Sequence, residues 1–221
     1  MAFLSIFDVV GPNMVGPSSS HTSGAATVAL IARKIFAKDV KSVKFILYGS
    51  FAKTYKGHGT DKALLGGILG FVSDDLRIKN SFSIAQERGV NYSFEESNID
   101  LEHPNIVDIC MEDEENHKMT IRGVSIGGGK VKVTAIDDMP VEFFGEYPTL
   151  IIELLDRKGV TAFISNCLQE ANANIAFMKM SRDAKGEKAH AIIECDDKID
   201  KSIVNILKSN ENILNVKLVQ I

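Results

Sequence analysis

Apolar positions along the chain fall into two kinds of repeat. Ala25, Val28, Ala29, Ala32, Ile35 and Phe36 recur at helical spacing and predict a helix over 23–37. A second apolar helical run, Ala63, Leu64, Leu65, Ile68, Leu69 and Val72, follows Thr60 and Asp61, either of which can cap it. Elsewhere the apolar stretches are shorter. Strands are predicted at 43–48, ending at Gly49, and at 105–111, 117–125 and 131–136, with strand-like pieces at 82–84 and 90–94 inside the polar stretch 74–103. Residues 3–9 form a short apolar segment, and Gly127-Gly128-Gly129 separates the last two strands. The run Glu112-Asp113-Glu114-Glu115-Asn116 reads as a solvated hairpin loop by its charge density.

Pro140 and Pro148 bracket a short linking segment, which divides the chain into domains at 1–147 and 148–221. The second domain alternates cleanly: strand 150–155, turn 156–159, helix 160–171, strand 175–182, turn 183–186, strand 188–194, helix 199–208 and strand 213–218. Ala162, Phe163, Cys167, Leu168 and Ala171 are the predicted inward face of its first helix. The order βαββαβ is that of a ferredoxin-like sandwich, so the fold class is α+β.

Composition narrows the class. The chain has 221 residues, 45% hydrophobic and 24% charged, as a soluble globular protein does. A net charge of -4 argues against non-specific nucleic-acid binding. No apolar run approaches the ~20 residues of a membrane span. The first residues carry no basic region and no cleavage pattern, so a cytoplasmic location is expected. Cys110, Cys167 and Cys195 are far apart, with no C-x-x-C and no iron–sulfur run, and read as buried reduced thiols. Charge is uneven: residues 30–80 hold ten Lys/Arg against four Asp/Glu, and residues 81–120 hold two against ten. The basic stretch is either a solvated face or the approach to an anionic substrate or partner.

Chemistry concentrates in two short segments. Gly16-Pro17-Ser18-Ser19-Ser20-His21-Thr22 leads into the first helix. A helix start needs only one capping hydroxyl; this one has four and an imidazole. Free backbone N–H groups and the helix dipole make such a start an anion site, and His21 adds a group able to move a proton. Gly57-His58-Gly59-Thr60-Asp61 precedes the second helix, where His58 is either a turn residue or a second functional imidazole between two side-chain-free neighbours. His103 and His117 flank the acidic hairpin and read as surface residues.

These two segments together closely resemble the beta chain of the two-chain, iron–sulfur-dependent bacterial L-serine dehydratases. The βαββαβ order with Asp156-x-x-Gly159 resembles an ACT domain, a small regulatory module that binds amino acids and pairs through its sheets or helices. The resemblance covers essentially the whole chain. It implies deamination of L-serine to pyruvate and ammonia, with a [4Fe-4S] cluster held by a separate alpha chain and no metal held here. It implies His21 and His58 as catalytic groups, Ser18, Ser19, Ser20, Thr22, Gly59, Thr60 and Asp61 as substrate-binding, and Asp156 and Gly159 as effector-binding. An oligomer through the ACT domain is expected. The first domain is also similar to the allosteric substrate-binding domain of some phosphoglycerate dehydrogenases. Three roles stay open: half of an enzyme site, a non-catalytic amino-acid sensor, and a scaffold for the alpha chain.

Overall fold

The computed structural model of the chain describes residues 13–137, 139–182 and 184–220, so the apolar segment expected at 3–9 lies outside it. The chain divides into two compact units between Phe144 and Gly145.

The first unit is a six-stranded sheet with helices packed against it. Its strands are β1 (Ser42–Leu47), β2 (Asn91–Glu96), β3 (Ile106–Glu112), β4 (Lys118–Gly127), β5 (Lys130–Ile136) and β6 (Met139–Phe143). They lie in the order β2-β1-β3-β4-β5-β6, with β1 and β2 parallel and the rest antiparallel. Alternation decides which face is buried. Val43, Phe45 and Leu47 of β1 and Val107, Ile109 and Met111 of β3 point into the core.

Helix α1 (Ala25–Phe36) is buried on nearly every side, from Ala25 to Ala32 except Thr27. Small residues let its neighbours approach. A Cβ at Gly123 of β4 would strike Val28, and one at Gly67 of α3 (Thr60–Ile68) would strike the Ala26 carbonyl. Arg33 then donates to the Ile68 carbonyl at 2.9 Å, closing the end of α3.

Two short elements differ from expectation. Residues 82–84 are not a strand but part of helix α4 (Ser81–Glu87). Ile78, Ser81 and Ala85 share one buried side while Phe82 stacks on Tyr92 at 5.3 Å, a spacing of three and four that a three-residue window hides. The helix α2 (Gly49–Thr54) was not foreseen, because its six residues hold only Phe51 and Ala52 as buried positions. The expected linker after Pro140 begins instead with β6, an edge strand where proline's missing N–H costs no ladder bond.

The acidic hairpin is also different. Asp113 is buried and accepts from the N–H groups of Glu115 and His117, both at 2.9 Å. Lys38 approaches it at 2.9 Å, Lys41 meets Glu114 at 3.0 Å, and Lys44 meets Glu95 at 3.2 Å. Part of the basic stretch is therefore neutralised by the acidic one. Folding brings together charges that the sequence separates.

The second unit holds β7 (Thr149–Leu155), α5 (Val160–Glu170), β8 (Ile175–Arg182), β9 (Lys188–Cys195), α6 (Ser202–Lys208) and β10 (Ile213–Val219). The sheet order β10-β7-β9-β8, antiparallel throughout, is the ferredoxin-like arrangement. Its core joins Leu150, Ile152, Ile164, Leu168, Ile193 and Leu207. Ile164, Cys167 and Leu168 form the inward face of α5, whereas Ala162 and Ala171 are exposed. The last helix starts at Ser202 rather than 199, where the Asp200 carboxylate accepts the Ser202 N–H at 2.8 Å. No helix among the described residues is long and apolar enough to cross a membrane.

Candidate functional site

Ser18 is the cap. Its backbone is extended and its Oγ accepts the His21 N–H at 3.1 Å. The next residues, Ser19–Gly24, form a wide π turn in which the Ser18 carbonyl accepts from both Thr22 (2.9 Å) and Ser23 (3.4 Å). Ser125 of β4, fully buried, donates from Oγ to the Ser20 carbonyl at 2.9 Å. Gly24 is required there, because a Cβ would overlap the Ser125 hydroxyl. Such turns are rare and cluster at functional sites. His21 thus lies inside the turn, not ahead of a helix as the sequence suggested.

The half-buried His21 ring has four neighbours, two at its nitrogens and two rings. Nε2 is 3.1 Å from Ser50 Oγ and Nδ1 is 3.5 Å from Ser18 Oγ. The ring meets Phe51 edge-on at 5.2 Å, and the His58 ring lies 4.9 Å away, tilted by 46°. Burial, then the charge of a protonated His58, hold its pKa below the ordinary 6.5, against an opposing pull from the Ser50 backbone.

His58 is fixed through its main chain. Its N–H donates to the Thr54 carbonyl at 3.1 Å and its carbonyl accepts from Thr22 Oγ1 at 3.2 Å. A Cβ at Gly59 would meet open space, and one at Gly57 would make only ordinary contact with the Thr54 oxygen at 3.7 Å. Thr60 and Asp61 do not cap α3. Gly59 occupies the cap position in the left-handed region (φ 68°) without a side-chain bond, and Thr60 and Asp61 fall in the first turn. Asp61 instead accepts the Lys62 N–H at 2.8 Å, and burial raises its pKa. The buried side-chain atoms without a hydrogen-bond partner among the described residues are Ser23 Oγ, His58 Nδ1, Thr60 Oγ1 and Asn105 Oδ1. His58 and Thr60 belong to the second of the segments singled out above, and Ser23 directly follows the first. Buried polar groups are normally paired, so such a concentration marks a place prepared for a ligand or a partner.

The structure therefore brings Ser18, Ser19, Ser20, His21 and Thr22 together with His58, Gly59, Thr60 and Asp61. Ser50 and Ser125 were missed. They come from an unforeseen helix and from the middle of a strand, 29 and 105 residues from their partners, and no local signal marks them. Asp156 and Gly159 belong to the second unit. The Asp156 carboxylate is engaged by the Gly186 N–H (3.0 Å) and Arg182 (3.1 Å), and Gly159 caps α5 at φ 90° with open space beside it. His103 is half-buried and accepts the Asn105 N–H at 3.1 Å, whereas His117 is exposed beside Asp113.

The cysteines do not form a cluster site. Cys110 is half-buried on β3, while Cys167 and Cys195 belong to the core of the second unit, where burial raises their thiol pKa values, that of Cys195 to about 11. Among the described residues, the grouping with metal-ligand spacing is Asp113, Glu115 and His117, and the Lys38 ammonium already sits against it.

Comparison with known proteins matches residues 4–135 to the family described as serine dehydratase beta chain. The chain is 38% identical over 216 residues to the probable L-serine dehydratase beta chain of Bacillus subtilis, covering 98% of both. It is 44% identical over 210 residues to the L-serine dehydratase beta chain of Peptoniphilus asaccharolyticus, covering 95% of this chain and 93% of that one. Among solved structures, the ACT domain of a GTP pyrophosphokinase of Chlorobium tepidum aligns with 32% of this chain and 94% of that one, at 16% identity and a TM-score of 0.26.

Proposed function

The chain belongs to the serine dehydratase beta chain family, and we propose that it supplies the substrate-anchoring and proton-handling half of an L-serine dehydratase site that an alpha chain completes. The observation carrying this is the meeting of His21 and His58, 4.9 Å apart, at a serine-lined turn.

β-Elimination from serine needs a carboxylate anchor, a base for the α-proton and help for the departing hydroxyl. The hydroxyls of Ser18, Ser19, Ser20 and Thr22, with the first N–H groups of the turn, suit the carboxylate. His21, held neutral near pH 7, suits the base. The α-proton passes to the imidazole, the C–H electron pair becomes the carbon–carbon double bond, and the hydroxyl leaves with the C–O pair. The resulting enamine rearranges to an imine and is hydrolysed to pyruvate and ammonia. His58 orients His21 and the substrate. A [4Fe-4S] cluster on the alpha chain, not on this one, would supply Lewis acidity to the leaving hydroxyl.

The second unit is proposed to be an ACT-type module that pairs subunits. Its strand β8 is an unpaired edge within the unit, with Phe177 62% exposed upon it. The test of the enzyme reading is reconstitution. Mixed with its alpha chain and iron and sulfide, the chain is expected to release pyruvate from L-serine; alone, it is expected to be inactive and to bind no cluster. A stoichiometric cluster spectrum on this chain alone would overturn the division of labour.

A further inference from the structure

The His58 imidazole gets little help from its own nitrogens in staying where it is. Nδ1 is buried without a hydrogen-bond partner among the described residues, and the ring lies against the His21 ring at 4.9 Å. The backbone on either side is permissive. Gly57 and Gly59 flank the histidine, and Gly59 sits in the left-handed region (φ 68°). Glycines leave a chain its widest conformational freedom. The place of the ring therefore depends on what holds the main chain of residue 58.

Two bonds hold it. The His58 N–H donates to the Thr54 carbonyl at 3.1 Å, four residues back along the same stretch of chain. The His58 carbonyl accepts from Thr22 Oγ1 at 3.2 Å, across 36 residues. This second bond reaches the π turn, at the residue next to His21. Thr22 itself has little freedom. It is 2% exposed, its N–H donates to the Ser18 carbonyl at 2.9 Å, and a Cβ at Gly16 would lie 2.5 Å from its methyl group. A hydroxyl so enclosed is set toward one acceptor.

We propose that Thr22 is a positioning residue for His58: its hydroxyl ties the carbonyl of that glycine-flanked histidine to the π turn and so keeps the two imidazoles side by side. This rests on the two-histidine site proposed above and holds whichever imidazole moves the proton. Its structural part is testable without turnover. In NMR spectra of the full chain, the ring protons of His21 and His58 are expected to show a mutual nuclear Overhauser effect. Thr22→Val, which keeps the branched shape and removes the donor, is expected to lose that signal, and Thr22→Ser to keep it. With the alpha chain present, Thr22→Val is expected to lower kcat by about 10–100-fold with little change in KM, as a misplaced catalytic group does, and Thr22→Ser to stay close to the parent. Circular dichroism is the folding control. A folded Thr22→Val chain that keeps both the ring-to-ring signal and kcat overturns the proposal. So does a loss confined to KM, which would leave Thr22 as a carboxylate anchor alone. Should Thr22→Val fail to fold, Thr22→Ser still decides: loss of the ring pair in a folded variant that keeps the hydroxyl overturns it too. A folded His58→Ala enzyme with normal kcat would instead sink the two-histidine site, whatever the spectra show.

Discussion

The His21 and His58 rings lie 4.9 Å apart, with Ser50 Oγ on the outer nitrogen of His21. At that distance a charge on His58 disfavours protonation of His21. For His21 this adds to burial, so its pKa lies below 6.5 in the folded chain. The unfolded chain then binds the proton more readily. His21 costs the fold nothing above pH 6.5 and destabilises it increasingly as the pH falls below that value. Replacing His58 with Ala is expected to move the His21 pKa upward, followed by its ring-proton shifts in NMR titration. An unchanged midpoint would mean the two rings are not electrostatically coupled.

In the assembled enzyme, His21→Ala and His58→Ala are each expected to lower kcat by about 10²–10⁴, the range for a lost acid–base group. Folding should change far less, because His58 Nδ1 has no partner to lose and His21 is only half-buried. Asn at either position separates roles. It can hydrogen-bond but not titrate near neutrality, so a variant that recovers activity marks that histidine as an orienter. Steady-state rates with circular dichroism as the folding control decide this.

Much of this arrangement was legible beforehand. The buried positions of α1 and α3 repeat over long windows, and the second unit's strands and helices alternate without interruption. The residue types around His21 and His58 suggest anion and proton chemistry from sequence alone. Their adjacency did not follow from any spacing, since it depends on a sheet carrying α2 to the π turn. Ser125 looked like one more strand residue, although its hydroxyl donates to the Ser20 carbonyl of that turn. Asp113 was misread for the opposite reason. Charge density implies exposure only on average, and Lys38, a distant residue, makes burial of this carboxylate tolerable.

The close approach of Gly24 and Ser125 makes a testable pair. Gly24→Ala alone should destabilise the chain by about 1–3 kcal/mol through overpacking, and Ser125→Ala by about 1 kcal/mol through a lost hydrogen bond. The double variant removes the hydroxyl that the new methyl strikes. It is expected to be more stable than Gly24→Ala alone, as read from urea midpoints. Simple additivity would show that the contact does not limit the turn.

Within the acidic hairpin the five residues are not equivalent. Burial pushes the Asp113 carboxyl up, but Lys38 and the N–H groups and ring of His117 outweigh it and hold the pKa well below the usual range. Its contribution is therefore full at neutral pH and is lost as the pH falls from the ordinary carboxylate range through the folded value. Asp113→Asn should lower the denaturation midpoint at pH 7, and the gap from the parent should narrow in acid. Glu114→Ser is exposed and should change stability by no more than about 0.5 kcal/mol. Equal midpoints for the two variants at pH 7 would return Asp113 to the solvated loop first expected of it.

The division between enzyme and sensor can be decided by where serine binds. A sensor in the second unit would bind L-serine in this chain alone, with no iron and no partner. In that unit Asp156, the group that would hold a ligand's ammonium, already accepts from Arg182 and the Gly186 N–H at Oδ2, which argues against a ready site there. In the first unit, in contrast, Ser23 of the π turn and His58 and Thr60 at the entry to α3 have buried polar atoms without hydrogen-bond partners among the described residues, and a site completed by another chain would engage them. Calorimetric titration of L-serine is expected to give no measurable heat of binding with the isolated chain and clear binding with the reconstituted pair. Ser20→Ala should weaken that binding, while Asp156→Ala should not. Tight binding to the isolated chain that survives Ser20→Ala and disappears in Asp156→Ala would transfer the ligand to the second unit and make this chain a sensor.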